Sequence, residues 1–292
     1  SCRIFQGSEK MKIIDGKAIA KSIKDELKVK VASFEENYDR KITLAVVMIG
    51  DNPASAVYVK NKIKAAEYVG IKSLSFVLPE SCSQREAEET VLSLASDDKV
   101  DAILVQLPLP EKFDADKLLS LIPPEKDVDG FTPYSVGSLL LGKECRVSCT
   151  PKGIIRMLKA EGVDFCGKRT VIIGRSNIVG KPLALLMLGE NCTVTVCHSK
   201  TENLSEICKD ADILVAAIGR PKFVTSDMVK DGAVVVDVGI NRTENGLVGD
   251  VDFEKVKEKA SLITPVPGGV GPMTIASLME NAYECAIRRV LI

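Results

Sequence analysis

The 292-residue chain has no tryptophan and a single histidine, His198. One imidazole excludes a histidine-rich metal centre, so no metal is expected, and it leaves a Ser-His-Asp triad a poor fit. Nine cysteines, from Cys2 to Cys285, include no CxxC pair and are odd in number. That pattern argues against a disulfide framework or a zinc ribbon and for a reducing compartment. Apolar runs such as Leu44 to Ile49 and Ala233 to Val236 have strand length, far short of the roughly 20 residues that span a bilayer. Nor is either charge sign in excess: 39 basic residues face 40 acidic ones, interspersed, for a net charge of -1. Binding a phosphate backbone needs a basic face, so neither nucleic acid nor a membrane is an expected partner. The first ten residues, Ser1 to Lys10, lack the apolar stretch of a signal peptide and precede Met11. They read as an expression remnant or a short extension, and the cytoplasm is the expected location.

What is present is an ordinary globular composition, 46% hydrophobic and 27% charged, with no bias toward disorder. The length is about twice that of a typical domain, which predicts two domains sharing a cleft. Ile19, Ile23, Leu27 and Val31 recur every four residues and mark a helix face. A buried strand follows at Leu44 to Ile49, then a helix from Ala54 to Val69 stopped by Gly70, a strand at Ser73 to Leu78 and a helix through Glu86 to Ala95. A strand at Ala102 to Leu107 and a helix near Asp114 to Leu121 continue the alternation, which implies a parallel sheet covered on both faces. Pro123 to Pro133 interrupts it as a long loop. Thr150-Pro151 then offers an N-cap and a first-position proline for a helix ending near Gly162.

A second series begins with strands at Arg169 to Ile173, Thr193 to Cys197, Ile213 to Ala217 and Ala233 to Val238. The fold class is therefore α/β, two parallel-sheet domains flanking a cleft, the second of Rossmann type. The expected boundaries are 1–149 plus 273–292 for the first domain and 150–272 for the second, with a last helix from Met273 to Arg289 packing back on the first.

Gly174-Arg175-Ser176-Asn177-Ile178-Val179-Gly180-Lys181-Pro182 follows a strand and opens a helix, the context in which free N–H groups and the helix dipole receive a phosphate. Ser176 stands where GxGxxG has its middle glycine, and Gly180 is displaced by one residue, so a tight βα turn without ligand is the competing reading. The second strand ends in His198-Ser199-Lys200, where an NAD site usually has an acidic residue for the ribose 2′-hydroxyl. Without that carboxylate, Arg175, Ser199 and His198 are candidates for a 2′-phosphate, which predicts NADP; His198 equally suits a cap on the strand end. Gly219 and Gly239-Ile240 sit at carboxyl strand ends, where nicotinamide would lie.

In the first half, Tyr58 and Lys62 share a helix face, as many exposed pairs do. Gln106 is a polar residue ending a buried strand in Val105-Gln106-Leu107-Pro108-Leu109-Pro110. Asp127 and Asp129 flank Val128 in a turn, an arrangement equally suited to capping. Pro265-Val266-Pro267-Gly268-Gly269-Val270-Gly271-Pro272 is rigid and small at once and lets a flat ligand approach the backbone.

Taken together, Tyr58 to Lys62, Val105 to Pro108, Lys126 to Gly130, Thr150 to Gly153, Gly174 to Pro182, Asp237 to Asn241 and Thr264 to Thr274 resemble the bifunctional methylenetetrahydrofolate dehydrogenase/methenyltetrahydrofolate cyclohydrolase family. The likeness runs from Met11 to the C-terminus. It implies one-carbon chemistry on tetrahydrofolate derivatives, of the kind that serves purine biosynthesis, with NADP as cofactor. Lys62 would be the catalytic lysine, Gln106 its hydrogen-bond partner, and Tyr58 the ring packed on the aminobenzoyl group. Asp129 would bind the pterin, and Pro267, Gly268, Gly271 and Pro272 would line the same cleft. A homodimer is the expected assembly. The competing readings are another two-domain NADP-dependent dehydrogenase, such as a shikimate dehydrogenase, and a regulator that binds folate or nucleotide without catalysis.

Overall fold

The computed structural model describes residues 11–244 and 246–291. The leading segment read above as a remnant or extension lies outside the described residues. The chain divides into two units, one formed by the described part of Ser1–Lys17 with Ile154–Pro272, the other by Ala18–Gly153 with the described part of Met273–Ile292.

Strand β1 (Lys12–Ile13) comes first and belongs to the sheet of the later unit, where the sequence alone assigned it to the first domain. Helix α1 (Gly16–Tyr38) buries Ile23, Leu27 and Val31 and extends the same face to Phe34. Strand β2 (Thr43–Ile49) is buried along its whole length and explains why the run reads as continuously apolar. It lies between β3 (Lys72–Leu78) and β4 (Ala102–Val105), parallel to both. Between β2 and β3 runs α2 (Pro53–Val69). Its N-cap Asn52 accepts from the N–H groups of Ala54 and Ser55, and Gly70 closes it at φ 91°. Helix α3 (Gln84–Ser96) starts on a capping box of Ser83 and Glu86, and α4 (Ala115–Ser120) on Asp114.

The stretch expected to be a loop contains a turn of 3₁₀ helix at Pro124–Lys126 and ends where α5 (Pro133–Leu140) begins, a helix the sequence reading did not place. Helix α6 (Cys149–Ala160) begins one residue before Thr150, so Thr150 is inside the helix and not its N-cap; its hydroxyl pairs with that of Thr274 at 3.0 Å.

The second unit holds β5 (Arg169–Ile173), α7 (Gly180–Gly189), β6 (Thr193–Cys197), α8 (Leu204–Lys209), β7 (Ile213–Ala216) and β8 (Val234–Asp237). A hairpin of β9 (Asn241–Thr243) and β10 (Gly246–Val248) follows, then α9 (Phe253–Val256) and β11 (Leu262–Ile263). Six strands form one parallel sheet in the order β1-β11-β8-β7-β5-β6. Both sheets are thus parallel and the class is α/β, with a Rossmann-type second unit.

Successive β2 side chains feed two cores. Leu44, Val46 and Met48 pack with α1 and α2, whereas Ala45, Val47 and Ile49 pack with Val91 of α3 and Leu118 of α4. The last helix, α10 (Val270–Leu291), contributes Leu278, Met279, Ala282 and Ala286 to the first of these cores. No described helix is long and apolar enough to cross a membrane.

Candidate functional site

Lys62 lies one turn after Tyr58 on α2, at the margin of the face that buries Val59, Ala66 and Val69. Tyr58 is exposed and Lys62 half-buried. The Lys62 Nζ donates to Gln106 Oε1 at 2.9 Å. Gln106 is held in place because its own N–H donates to the Val47 carbonyl at 2.8 Å, just beyond the end of β4. Its side-chain amide donates in turn to the Leu107 carbonyl at 2.6 Å. With the amide nitrogen so committed, the oxygen has to face the lysine.

The acidic turn resolves into two different residues. Asp127 accepts from the N–H groups of Gly130, Phe131 and Thr132 and from the Ser135 hydroxyl, so it is the capping residue. Asp129 takes no part in that cap. Its neighbours are the Cys149 thiol, 4.0 Å away, and the charge of Lys62. Burial pushes the Asp129 carboxyl up to about 6, with Lys62 pulling it back down and Asp127 adding to the rise. Tyr58, Lys62, Gln106 and Asp129 all belong to the unit built on β2.

In the other unit, Gly174 directly follows β5 at φ 125°, and a Cβ there would stand 2.3 Å from the Ala217 carbonyl oxygen. A Cβ on Gly180 would stand 2.2 Å from the Gly174 carbonyl oxygen, so the two glycines close the turn onto the start of α7. Ser176 supports this turn: its hydroxyl oxygen accepts from the N–H groups of Val179 and Gly180 at 3.2 and 3.3 Å. Arg175 is exposed and makes no ion pair among the described residues. At the end of β6, the His198 Nδ1 accepts from the Lys200 N–H at 3.2 Å, and the His198 N–H donates to the Thr201 hydroxyl. His198 thus caps a turn, which leaves its other ring nitrogen free of that duty; Ser199 beside it is exposed. A cradle of close-packed glycines with a cation beside it, and no carboxylate in the His198-Ser199-Lys200 strand end, fits a dinucleotide carrying a 2′-phosphate.

Gly219 and Ile240 lie beyond the carboxyl ends of β7 and β8, both exposed. The Pro265 to Pro272 loop follows β11 in the same unit. Within it the Gly268 carbonyl accepts from the Lys17 N–H at 3.0 Å. A Cβ on Gly271 would meet the Ile240 side chain at 3.8 Å, so this loop and the end of β8 adjoin. Pro267 is the rigid member of the loop proper, and Gly271 and Pro272 already lie in the first turn of α10. Among the described residues no group of three His, Cys, Asp or Glu side chains is placed to hold a metal.

Family models assign 14–129 to the tetrahydrofolate dehydrogenase/cyclohydrolase catalytic domain and 148–290 to the NAD(P)-binding domain of the same family. The chain belongs to the tetrahydrofolate dehydrogenase/cyclohydrolase family. The bifunctional protein FolD of Agathobacter rectalis is 56% identical over 277 residues, which is 94% of this chain and 99% of that protein. The bifunctional FolD enzyme from Campylobacter jejuni superposes with a TM-score of 0.93 at 52% identity, covering 96% of this chain and 99% of that one. The Trypanosoma brucei dehydrogenase-cyclohydrolase, solved with NADP and an inhibitor, gives 0.93 at 39% identity, covering 97% and 99%.

As a member of this family the chain is an NADP-dependent methylenetetrahydrofolate dehydrogenase and a methenyltetrahydrofolate cyclohydrolase. The shikimate-type and regulator readings are set aside. Three residues that anchor the Lys126 to Gly130 segment were given no role in the sequence reading. Lys126 is buried and donates to the carbonyls of Leu94, Ala95 and Asp97, closing the end of α3. Asn281 of α10 donates to the carbonyls of Val128 and Val147, both at 2.9 Å, and accepts from Lys152. Cys149 is buried against the same turn, its thiol 3.6 Å from the Asn281 amide. An uncharged polar residue inside the apolar pattern of α10 was the one signal available for Asn281.

Proposed function

We propose that Lys62 is the group that moves protons in the second of the two reactions and that Gln106 orients it. The chain oxidises 5,10-methylenetetrahydrofolate to the 5,10-methenyl cation with NADP⁺ and hydrolyses that cation to 10-formyltetrahydrofolate. NADP⁺ supplies the acceptor for the hydride that leaves the methylene carbon. That step asks alignment of the protein more than proton transfer, because the folate nitrogen lone pairs drive the departure. Asp129 accepts hydrogen bonds from the pterin amino group and ring N–H, and Tyr58 stacks on the aminobenzoyl ring. Pro267, Gly268, Gly271 and Pro272 line the folate site. Gly174, Arg175, Ser176, Gly180, His198 and Ser199 take the phosphate end of the cofactor, and Gly219 and Ile240 border its nicotinamide.

Hydrolysis places a water oxygen on the methenyl carbon. The Lys62 amine takes a proton from that water as the C–O bond forms, and returns it to N5 as the C–N5 bond breaks with its electron pair going to N5. The hydroxyl of the adduct loses its proton as the formyl C=O forms, so one proton leaves to solvent overall. The observation that carries this reading is the 2.9 Å Lys62–Gln106 hydrogen bond, made by an amide that can present only its oxygen.

On this reading the folate-binding catalytic domain is the unit of Ala18–Gly153 with Met273–Ile292, and the NADP-binding domain is the unit of Ile154–Pro272 together with β1. A net charge of -1 and nine cysteines without a CxxC pair support a cytoplasmic enzyme that binds neither nucleic acid nor membrane; we infer a homodimer as its working form. Absorbance of methylenetetrahydrofolate mixed with enzyme and either NADP⁺ or NAD⁺ tests the chemistry. Transient methenyl product with NADP⁺, followed by its loss to the formyl compound, is expected; absence of methenyl turnover would overturn the assignment. Sedimentation tests the dimer.

A further inference from the structure

Two carboxylates tie together the strand ends on which the cofactor's reactive ring would rest. Asp250, just after the β9–β10 hairpin, is fully buried. A buried carboxylate is costly unless each oxygen is hydrogen-bonded, and here both are. One oxygen accepts from the N–H groups of Ile218 and Gly219 at 2.7 and 3.0 Å, in the loop after β7. The other accepts from the Asn241 side-chain amide at 2.9 Å, immediately after Ile240. Asp237, at the end of β8, fixes Asp250 in turn by accepting from its N–H at 2.8 Å and from those of Gly239 and Val251 at 3.0 Å each.

The backbone is built around these two groups. A Cβ on Gly239 would stand 2.1 Å from an Asp250 carboxylate oxygen, and one on Gly249 would stand 1.8 Å from an Asp237 oxygen. No side chain fits at either place. A glycine that admits a carboxylate this closely gives up chain entropy for the contact. The contact sits at the carboxyl edge of a parallel sheet, where ligands of such sheets bind.

We infer that Asp250 is a positioning residue for the dehydrogenase reaction: one side chain sets the spacing between the Ile218-Gly219 loop and the Ile240-Asn241 loop, and so the seat of the nicotinamide. This rests on the reading above that Gly219 and Ile240 border that ring. Hydride transfer is sensitive to placement, and a misplacement of about 1 Å costs on the order of 10²-fold in rate. Cyclohydrolase turnover needs no nicotinamide and is indifferent to this spacing.

The full chain carrying Asp250→Ala, Asp250→Asn, Asn241→Ala or Ile240→Ala tests the role. For each variant one measures dehydrogenase kcat and KM, NADP⁺ affinity by calorimetry, cyclohydrolase rate on supplied methenyltetrahydrofolate without cofactor, and the thermal midpoint. Asp250→Ala and Asn241→Ala are expected to lower dehydrogenase kcat by about tenfold or more, with cyclohydrolase changed by less than about twofold. Asp250→Asn is expected to recover most of the rate, because its oxygen still accepts from Ile218 and Gly219 and the Asn241 amide can turn over to meet its NH₂. If Asp250→Ala does not fold, Asn241→Ala decides. Equal losses in both activities would overturn the inference in favour of a purely structural carboxylate. Normal dehydrogenase kcat in Asp250→Ala and Asn241→Ala but not in Ile240→Ala would overturn the role of Asp250 alone. Normal kcat in all three would overturn the placement of the nicotinamide as well.

Discussion

Asp127 and Asp129 stand two residues apart in one turn, yet Asp127 is used up by the protein and Asp129 is not. Three backbone N–H groups and the Ser135 hydroxyl converge on Asp127. Asp127→Ala therefore strands buried donors, each costing about 1–3 kcal/mol, and is expected to lower the thermal midpoint sharply. Asp129→Ala is expected not to lower the midpoint below that of the parent, since it relieves a buried anion, while abolishing folate binding and sparing NADP⁺ binding. Calorimetry with each ligand separately checks this; normal folate affinity in Asp129→Ala would return Asp129 to a structural role.

The elevated Asp129 carboxyl carries a pH signature. Its ordinary value of 3.8 rises to about 6 in the fold because burial penalises the anion. With the folded value above the unfolded one, the group favours the fold fully below its ordinary value, and that contribution is lost as pH rises through about 6. Asp129→Asn, which never ionises, should thus be more stable than the parent at pH 7.5, by at most about 3 kcal/mol. The difference should shrink as the pH is lowered toward 4.5. Folate affinity of the parent should run the other way, weakening below about pH 6 as the acceptor is protonated. Denaturant melts at the two pH values decide; an Asn variant no more stable at pH 7.5 would contradict the buried-anion account.

Arg175 is exposed within the Gly174–Gly180 turn after β5, and the His198-Ser199-Lys200 segment that follows the neighbouring β6 carries no acid. Arg175→Ala is expected to weaken NADP⁺ far more than NAD⁺. A charge-assisted hydrogen bond contributes roughly 1.5–3 kcal/mol, or about 10- to 150-fold in affinity. Dissociation constants for both cofactors measure it, and equal losses would remove Arg175 from the 2′-phosphate.

How legible each part was depended on where its side chains go. Strands β2, β4, β5, β7 and β8 are buried almost throughout, and burial on both faces writes a continuous apolar run that cannot be missed, whereas β6, at the sheet edge, shows instead the alternation of a half-exposed strand. Strands β1 and β11 are two residues each and leave no period to read. Helix α5 exposes Tyr134, Val136 and Leu140, so its apolar residues do not mark a buried face; only the Thr132 cap and Pro133 announced it. Lys62 and Gln106 were joined by the family resemblance and not by any pattern in the residues themselves, because 44 residues separate them and the parallel pairing of β2 with β4 sets their distance. Asp250 carried no sequence signal at all. Its role comes from partners at Ile218, Gly219 and Asn241, which meet only in the fold.

Lys62→Met is expected to separate the two activities. Methionine keeps the length and packing of the side chain next to Tyr58 but can neither take nor give a proton, and it leaves the Gln106 oxygen without its donor. General acid–base catalysis contributes about 10²–10⁴-fold, so cyclohydrolase should fall by at least the lower figure. Dehydrogenase activity should fall less, because hydride transfer depends on alignment, and the variant loses only the orienting influence of one hydrogen bond. Methenyltetrahydrofolate, consumed by the parent enzyme, should then accumulate and be visible by its absorbance during NADP⁺ reduction. Collapse of both rates in a variant that folds and binds NADP⁺ would make Lys62 a residue that positions substrate for both steps. An untouched cyclohydrolase rate would take the proton transfer away from Lys62 altogether.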